Sequence, residues 1–460
     1  MMNKTEYIRE LDSLHAPDQL RQKVLALKKP RFSLKQATAI AAAAASFAVV
    51  LSGAWFLSNI RMGASSSGTG GEDVFQSYAG PILPLSIAGR EVSAGRQLSM
   101  KVTSGSYMQV EDTYLFTGDA GTVTIALPVV SSLDDLSGLD AGLYLNGEAL
   151  DYDVVIGGLL CGDRYPEYAD YHDSLTEEYL SEALNGLQAD LPETVTRYIF
   201  ADLSEPSDED NLQYGLTGTL QEGGRLLTYG FSGGRVDTGE FSADVRVSGS
   251  LRYEREAEVL VTGELANAAL AGWTDGSCET VDPGFSGRLL ISEEDAADTF
   301  LRLAADFWER YGGVSDDEDG TARALYPSAC LEELALRLDT AADHILVLED
   351  IFVEALHQDR VFYLTAEIEL SAGDEITASY RKSPSRNYGG GGADTSLYGY
   401  DLLNAVENAV NVTELSAELT LGEGFELYQE DLGLVFTGER YEAVLDPAVE
   451  RYTLILREKD

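Results

Sequence analysis

The longest stretch of uniform character in this chain is apolar, the twenty-four residues Ala37 to Ile60, which carry no charge. At about 1.5 Å per residue a helix of that length reaches ~36 Å, enough for a hydrocarbon core of ~30 Å, so the pattern predicts one transmembrane helix. Ile40, Phe47, Val49, Val50, Leu51, Trp55, Phe56, Leu57 and Ile60 supply its apolar strength, while Ala41 to Ala45 is nearly neutral for insertion. Ser52-Gly53-Ala54 resembles a cleavage site, but thirty-six preceding residues make a long leader, which favours a retained anchor. Ahead of this run, Tyr7, Leu11 and Leu14 follow the i, i+4, i+7 spacing, and Leu20, Val24 and Leu27 repeat it after Pro17. Two short amphipathic helices are expected. Residues 1–36 cannot bury a core alone, so these stripes predict contact with a cytoplasmic protein partner or with the membrane face.

Beyond a Gly/Ser linker at 61–73 the period changes from helical to alternating. Residues 74–273 read as a mainly β, antiparallel, sandwich-like extracellular domain. Asn146-Gly147 is its strongest hairpin signal, and a second hairpin is expected at Glu222-Gly223-Gly224. Phe241, Ala243, Val245 and Val247 alternate with polar neighbours, and one helix is expected over 174–191. Residues 274–460 read as an α+β domain. Ala296, Phe300, Leu303 and Phe307 predict a helix reaching Tyr311, and Leu331, Leu334, Ala335 and Leu338 predict another. Strands are expected at 345–348, 361–370, 415–421 and 452–456. The fold class is thus one transmembrane helix, a mainly β ectodomain and a following α+β domain.

Charge orients that plan. Residues 1–36 hold eight Lys/Arg against four Asp/Glu, leaving 24 basic and 74 acidic residues after them, a net charge of −50. The basic flank predicts a cytoplasmic amino terminus and an extracellular remainder, a single-pass cell-membrane topology. So negative a field repels nucleic acid, which excludes a DNA- or RNA-binding role for the outer part. It favours cations, including weak Ca²⁺ binding. A hydrophobic content of 44% with 24 tyrosines supports packed cores, so the acidity does not signify disorder. Three cysteines, Cys161, Cys278 and Cys330, are too few for a disulfide scaffold and lack zinc-site spacing.

The candidate chemical motifs weaken in context. Gly230-Phe-Ser232-Gly-Gly234 has the letters of a nucleophile elbow, which requires a strand, a strained turn and a helix; here an alternating run follows, so a Gly-rich turn is expected. Asp316 to Gly320 resembles half of a calcium loop, but Tyr326 stands where the bidentate glutamate belongs. His172 beside Asp170 and Asp173 has no second histidine at metal-ligand spacing, and Asp173 or Ser174 is expected to cap the following helix. Arg381, Lys382 and Arg386 lie in an acid-free stretch, 376–393, and are the candidates for contact with an anion, although pairing with nearby carboxylates is the commoner use. No catalytic residue, cofactor motif or metal site emerges.

Thr5-Glu-Tyr-Ile-Arg-Glu-Leu-Asp-Ser-Leu-His15-Ala-Pro-Asp-Gln-Leu20, followed by a basic stretch and one span, resembles the amino-terminal part of anti-sigma-factor-like single-pass membrane proteins of Firmicutes. Val110 to Thr117, Thr377 to Pro384 and Gly399 to Leu402 are similar to uncharacterised ectodomains from those bacteria. Zinc-binding members carry a His-x3-Cys-x2-Cys motif, and no cysteine precedes residue 161 here. The resemblance implies regulation of a cytoplasmic partner such as a sigma factor. The sequence therefore points to a non-enzymatic membrane-anchored regulator or sensor, with a surface-anchored binding or adhesion protein as the alternative.

Overall fold

The computed structural model describes residues 75–459, apart from 106, 119–120, 161–167, 187–188, 205–211, 232, 240, 252–256, 276, 312–319, 341–343, 389–392, 405 and 407–408. The chain divides into two units: the first takes residues up to 187, 313–325 and 357–460, the second 188–312 and 326–356.

In unit 1 the largest sheet has eight strands, in the order β23 (Val435–Phe436), β24 (Tyr441–Leu445), β21 (Asn411–Leu421), β2 (Ser93–Val102), β3 (Met108–Phe116), β18 (Glu375–Lys382), β5 (Gly142–Leu145) and β6 (Glu148–Ala149). Every pair is antiparallel except β2 with β21. The expected Asn146-Gly147 hairpin joins β5 to β6, both residues taking positive φ (52° and 81°), as a type I′ turn demands. Asn146 also fastens the turn to β18, its Nδ2 donating to Asp374 (2.9 Å) and its Oδ1 accepting from the Glu375 amide (2.9 Å).

A second sheet runs β1 (Ser86–Ile87), β4 (Gly121–Ser131), β17 (Arg360–Leu370), β7 (Asp153–Ile156). The third runs β19 (Ser385–Arg386), β20 (Leu397–Leu403), β25 (Arg451–Glu458), β22 (Phe425–Glu430). Two short helices, α1 (Tyr168–Asp173) and α2 (Glu177–Asn185), and the turn between them bring Tyr171, Leu175, Leu180 and Ala183 into a core with Val130, Val361 and Tyr363. They replace the single helix expected over 174–191. The side chain of Thr176 accepts from the Tyr179 amide and caps α2, so neither Asp173 nor Ser174 has that role.

Unit 2 stacks a five-stranded sheet, β15 (Arg288–Asp295), β8 (Thr194–Ala201), β13 (Glu258–Thr262), β10 (Arg225–Tyr229), β16 (Ile345–Val347), on a four-stranded one, β11 (Gly233–Thr238), β12 (Ser242–Ser250), β9 (Gln213–Gln221), β14 (Leu265–Trp273). Leu216, Leu220, Val245 and Val247 meet Leu226, Val259 and Val261 between them. The turn at Glu222-Gly223-Gly224 is not a hairpin. It carries the chain from β9 in one sheet to β10 in the other, while Gly263 carries β13 into β14. The two crossings run side by side: Gly263 has a φ of 82°, and a Cβ on it would stand 3.1 Å from the Gly224 Cα, so this position favours glycine.

Helices α3 (Ala296–Tyr311), α4 (Thr321–Thr340) and α5 (Leu348–His357) follow later in the chain. The Tyr229 hydroxyl donates to Asp306 (2.8 Å) and its ring meets Phe352, which seats α3 and α5 on β10. Helix α4 begins ten residues before the expected stripe, running through Pro327, with Tyr326, Ala329, Cys330 and Leu334 buried. Helix α5 was not foreseen; Leu348, Ile351, Phe352 and Ala355 give it a helical stripe directly after a three-residue strand.

The expected fold class is corrected here. A boundary near residue 273 does not follow the sheets, because β15 pairs with β8 and β17 with β4 across it. The mainly β character holds, but among the described residues no helix is long and apolar enough to cross a membrane. The single-pass transmembrane helix is therefore not a feature of this fold as seen; residues 37–60, where it was placed, lie outside the described residues, as do 1–36 and 61–73.

Candidate functional site

Strand alternation gives the eight-stranded sheet two unlike faces. The inner one takes Leu98, Met100, Val110, Tyr114, Ile376, Ala378, Leu415 and Leu419, all buried. Within it lies an ion pair: Arg96 donates to Asp112 at 2.7 Å, and Tyr114 Oη donates to the same carboxylate at 2.9 Å. Arg96 also donates to the Asn404 side chain (3.1 Å), and the Leu85 amide donates to Tyr114 Oη (2.9 Å). Burial by itself would lower the Arg96 guanidinium, but Asp112 beside it holds it above its ordinary value. Burial pushes the Tyr114 phenol well up, which keeps it a donor.

The outer face is polar and aligned in rows by the strand register. One row reads Val444, Ser416, Gln97, Thr113, Thr377, Tyr144 across β24, β21, β2, β3, β18 and β5. The next reads Glu442, Glu418, Ser99, Glu111, Ser379, Gly142. Neighbouring side chains already bond across strands: Gln97 Nε2 donates to Glu418 (3.2 Å), Gln109 Nε2 to Ser379 (3.1 Å), and Thr113 and Thr377 share a hydroxyl bond (3.1 Å). At one end Arg440 binds Glu418 (2.8 Å) and Glu442 (2.6 Å). At the other Arg381 binds Asp140 (3.0 Å) and lies 4.6 Å over the Tyr107 ring. The result is a broad, preordered array of hydroxyl, amide and carboxylate groups, suited to holding a polar ligand or protein surface.

The three cations singled out by sequence do not converge. Arg381 is on this outer face, but Lys382, one residue on, turns inward and is buried, its Nζ donating to the Ala79 carbonyl. Burial lowers its ammonium to about 8, against the opposing pull of Asp359 and Asp401. Arg386 sits in β19, 4.7 Å over the Tyr398 ring. Tyr7, Leu11, Leu14, Leu20, Val24 and Leu27 lie outside the described residues, as do most of the acidic loop from Asp316 and Ser232 of the glycine-rich motif. Gly230 of that motif has a φ of 80°, and strand β11 follows rather than a helix. His172 pairs with its neighbour Asp173 at 3.1 Å on the surface. Among the described residues no three His, Cys, Asp or Glu side chains converge as metal ligands, for Ca²⁺ or another ion. Cys278 and Cys330 are both buried, and Cys161 lies outside the described residues.

No family model matches the chain, and no curated protein matches it. The site therefore has to be read from its own chemistry. Gln97, Ser99, Thr113, Thr377 and Ser379 were not singled out from sequence. The available signal was the alternation Gln97-Leu98-Ser99-Met100-Lys101-Val102, which marks a wet face.

Proposed function

We propose that the chain is a non-enzymatic regulator or sensor. The outer face of the eight-stranded sheet receives the input, and the amino-terminal segment bearing Tyr7, Leu11, Leu14, Leu20, Val24 and Leu27 holds a protein partner, a sigma factor being the class that the sequence resemblance suggests. The observation that carries this reading is the ordered polar face itself, whose side chains are held by cross-strand bonds and by Arg440 and Arg381 at its ends. Such a surface offers many directional contacts for binding. Co-purification of the tagged full chain tests it: a specific partner should be recovered with the wild type and lost with Leu11→Asp and Val24→Asp. A partner whose binding ignores both substitutions would contradict the regulatory reading and leave a binding module without a signalling role.

A further inference from the structure

Beyond β21 the eight-stranded sheet ends in a hairpin with unusual exposure for its residue types. Val435, Phe436 and Val444 are 65%, 58% and 91% exposed. Phe436 pairs with Tyr441, and Tyr441 stands opposite the buried Leu419, so both aromatic rings hang on the inner side of the sheet at its margin. Their centroids are 5.1 Å apart. Facing them is the start of β22, where Phe425 is buried, and between the two lies a groove of about 280 Å³. All of these residues belong to unit 1.

The groove joins aromatic walls to carboxylates. Glu423, Glu426 and Glu439 line it along with Phe425, Phe436 and Tyr441. Lys459 is the cation in its lining, and its Nζ donates to the Glu423 carbonyl (3.2 Å), which ties it to the backbone. Arg440 nearby is committed to Glu418 and Glu442. Three carboxylates against one ammonium leave the groove net negative. Aromatic faces and carboxylates together select a cation with an apolar stem, the chemistry of a lysine or arginine side chain.

We propose that this groove docks a lysine- or arginine-bearing segment of a partner protein, the cationic side chain lying against the Phe436–Tyr441 pair with its charge toward the glutamates. Charge complementarity decides the occupant. A second copy of a chain with net charge −46 would bring like charge to the groove, whereas a basic segment is drawn to it. The exposed Phe436 then finds cover that the free chain does not give it. The inference stands apart from the reading of the amino-terminal segment, since neither uses the residues of the other.

The test is calorimetric titration of the full chain with the blocked peptide acetyl-(Lys-Val)₃-amide, with acetyl-(Glu-Val)₃-amide as comparison. The lysine peptide should bind and the glutamate peptide should not. Phe436→Ala and the triple variant Glu423→Gln/Glu426→Gln/Glu439→Gln should each weaken binding at least tenfold, the triple variant also flattening the salt dependence. Asp237→Asn/Asp244→Asn, which removes an equal kind of charge in unit 2, should leave the affinity within twofold. Absence of binding, or equal loss in the unit 2 variant, overturns the proposal. So does a dimer of the free chain in sedimentation that Phe436→Ala dissolves, since the groove would then belong to a second copy.

Discussion

The eight-stranded sheet of unit 1 and the five-stranded sheet of unit 2 differ in what their faces meet. In the first, β2 and β3 alternate buried and accessible positions along their whole length. In the second, all five residues of β13 are buried, as are four of the five in β10. One sheet has a packed face and a wet face; the other is covered on both at its central strands β13 and β10. A covered sheet has little surface left for recognition and acts as scaffold. The alternating sheet keeps a polar plane free, and so the functional reading belongs to unit 1.

The sharpest way to break this contrast is to add one methyl group in each unit. A Cβ on Gly215 in β9 would stand 1.8 Å from the Val247 carbonyl oxygen, so Gly215→Ala should cost ~5 kcal/mol or prevent folding, read by chemical denaturation. Next in size is the ion pair beneath the open face. Asp112→Asn strands the buried Arg96 guanidinium and should cost ~3–5 kcal/mol in the same measurement.

Lys382 gives an effect of ~1–2 kcal/mol with a definite sign. Its folded value, about 8, lies below the 10.5 of the free side chain, so between those values the unfolded chain binds more protons and stability rises with pH. Denaturation at pH 7.5 and 9.5 should show that rise in the wild type relative to Lys382→Met, in which it is absent. On the open face, Thr113→Ala/Thr377→Ala removes a cross-strand bond that water can replace, and the melting temperature should reflect less than ~1 kcal/mol. Smallest is Gly95→Ala in β2, where a Cβ would meet nothing within 4 Å; its midpoint should stay within ~0.5 kcal/mol of the wild type.

Much of this was legible where the signal is local. Asn146-Gly147 names its own turn because both residues accept positive φ, and the stripe Ala296, Phe300, Leu303, Phe307 fixes α3. Legibility fails where distant chain decides. Nothing in Glu222-Gly223-Gly224 tells whether the next strand returns beside β9 or crosses to another sheet; that depends on Gly263 passing close to Gly224. The pairing of β4 with β17 joins segments more than two hundred residues apart, which hid the division into units. Arg381 and Lys382 looked like one cationic site because they are adjacent, yet adjacency in a strand places them on opposite faces. The outer face itself was half legible: the alternation shows that it exists, and only register shows that Gln97, Thr113 and Thr377 share a row.

The central claim is that this outer face is occupied when the protein works. Photo-crosslinking of the full chain in the cells that express it tests this most directly, with the reactive residue placed at Thr113 or Ser379 and, as a buried control, at Leu260. The account predicts a discrete adduct from both face positions and none from position 260. Equal labelling from all three, or no adduct from the face, would contradict it.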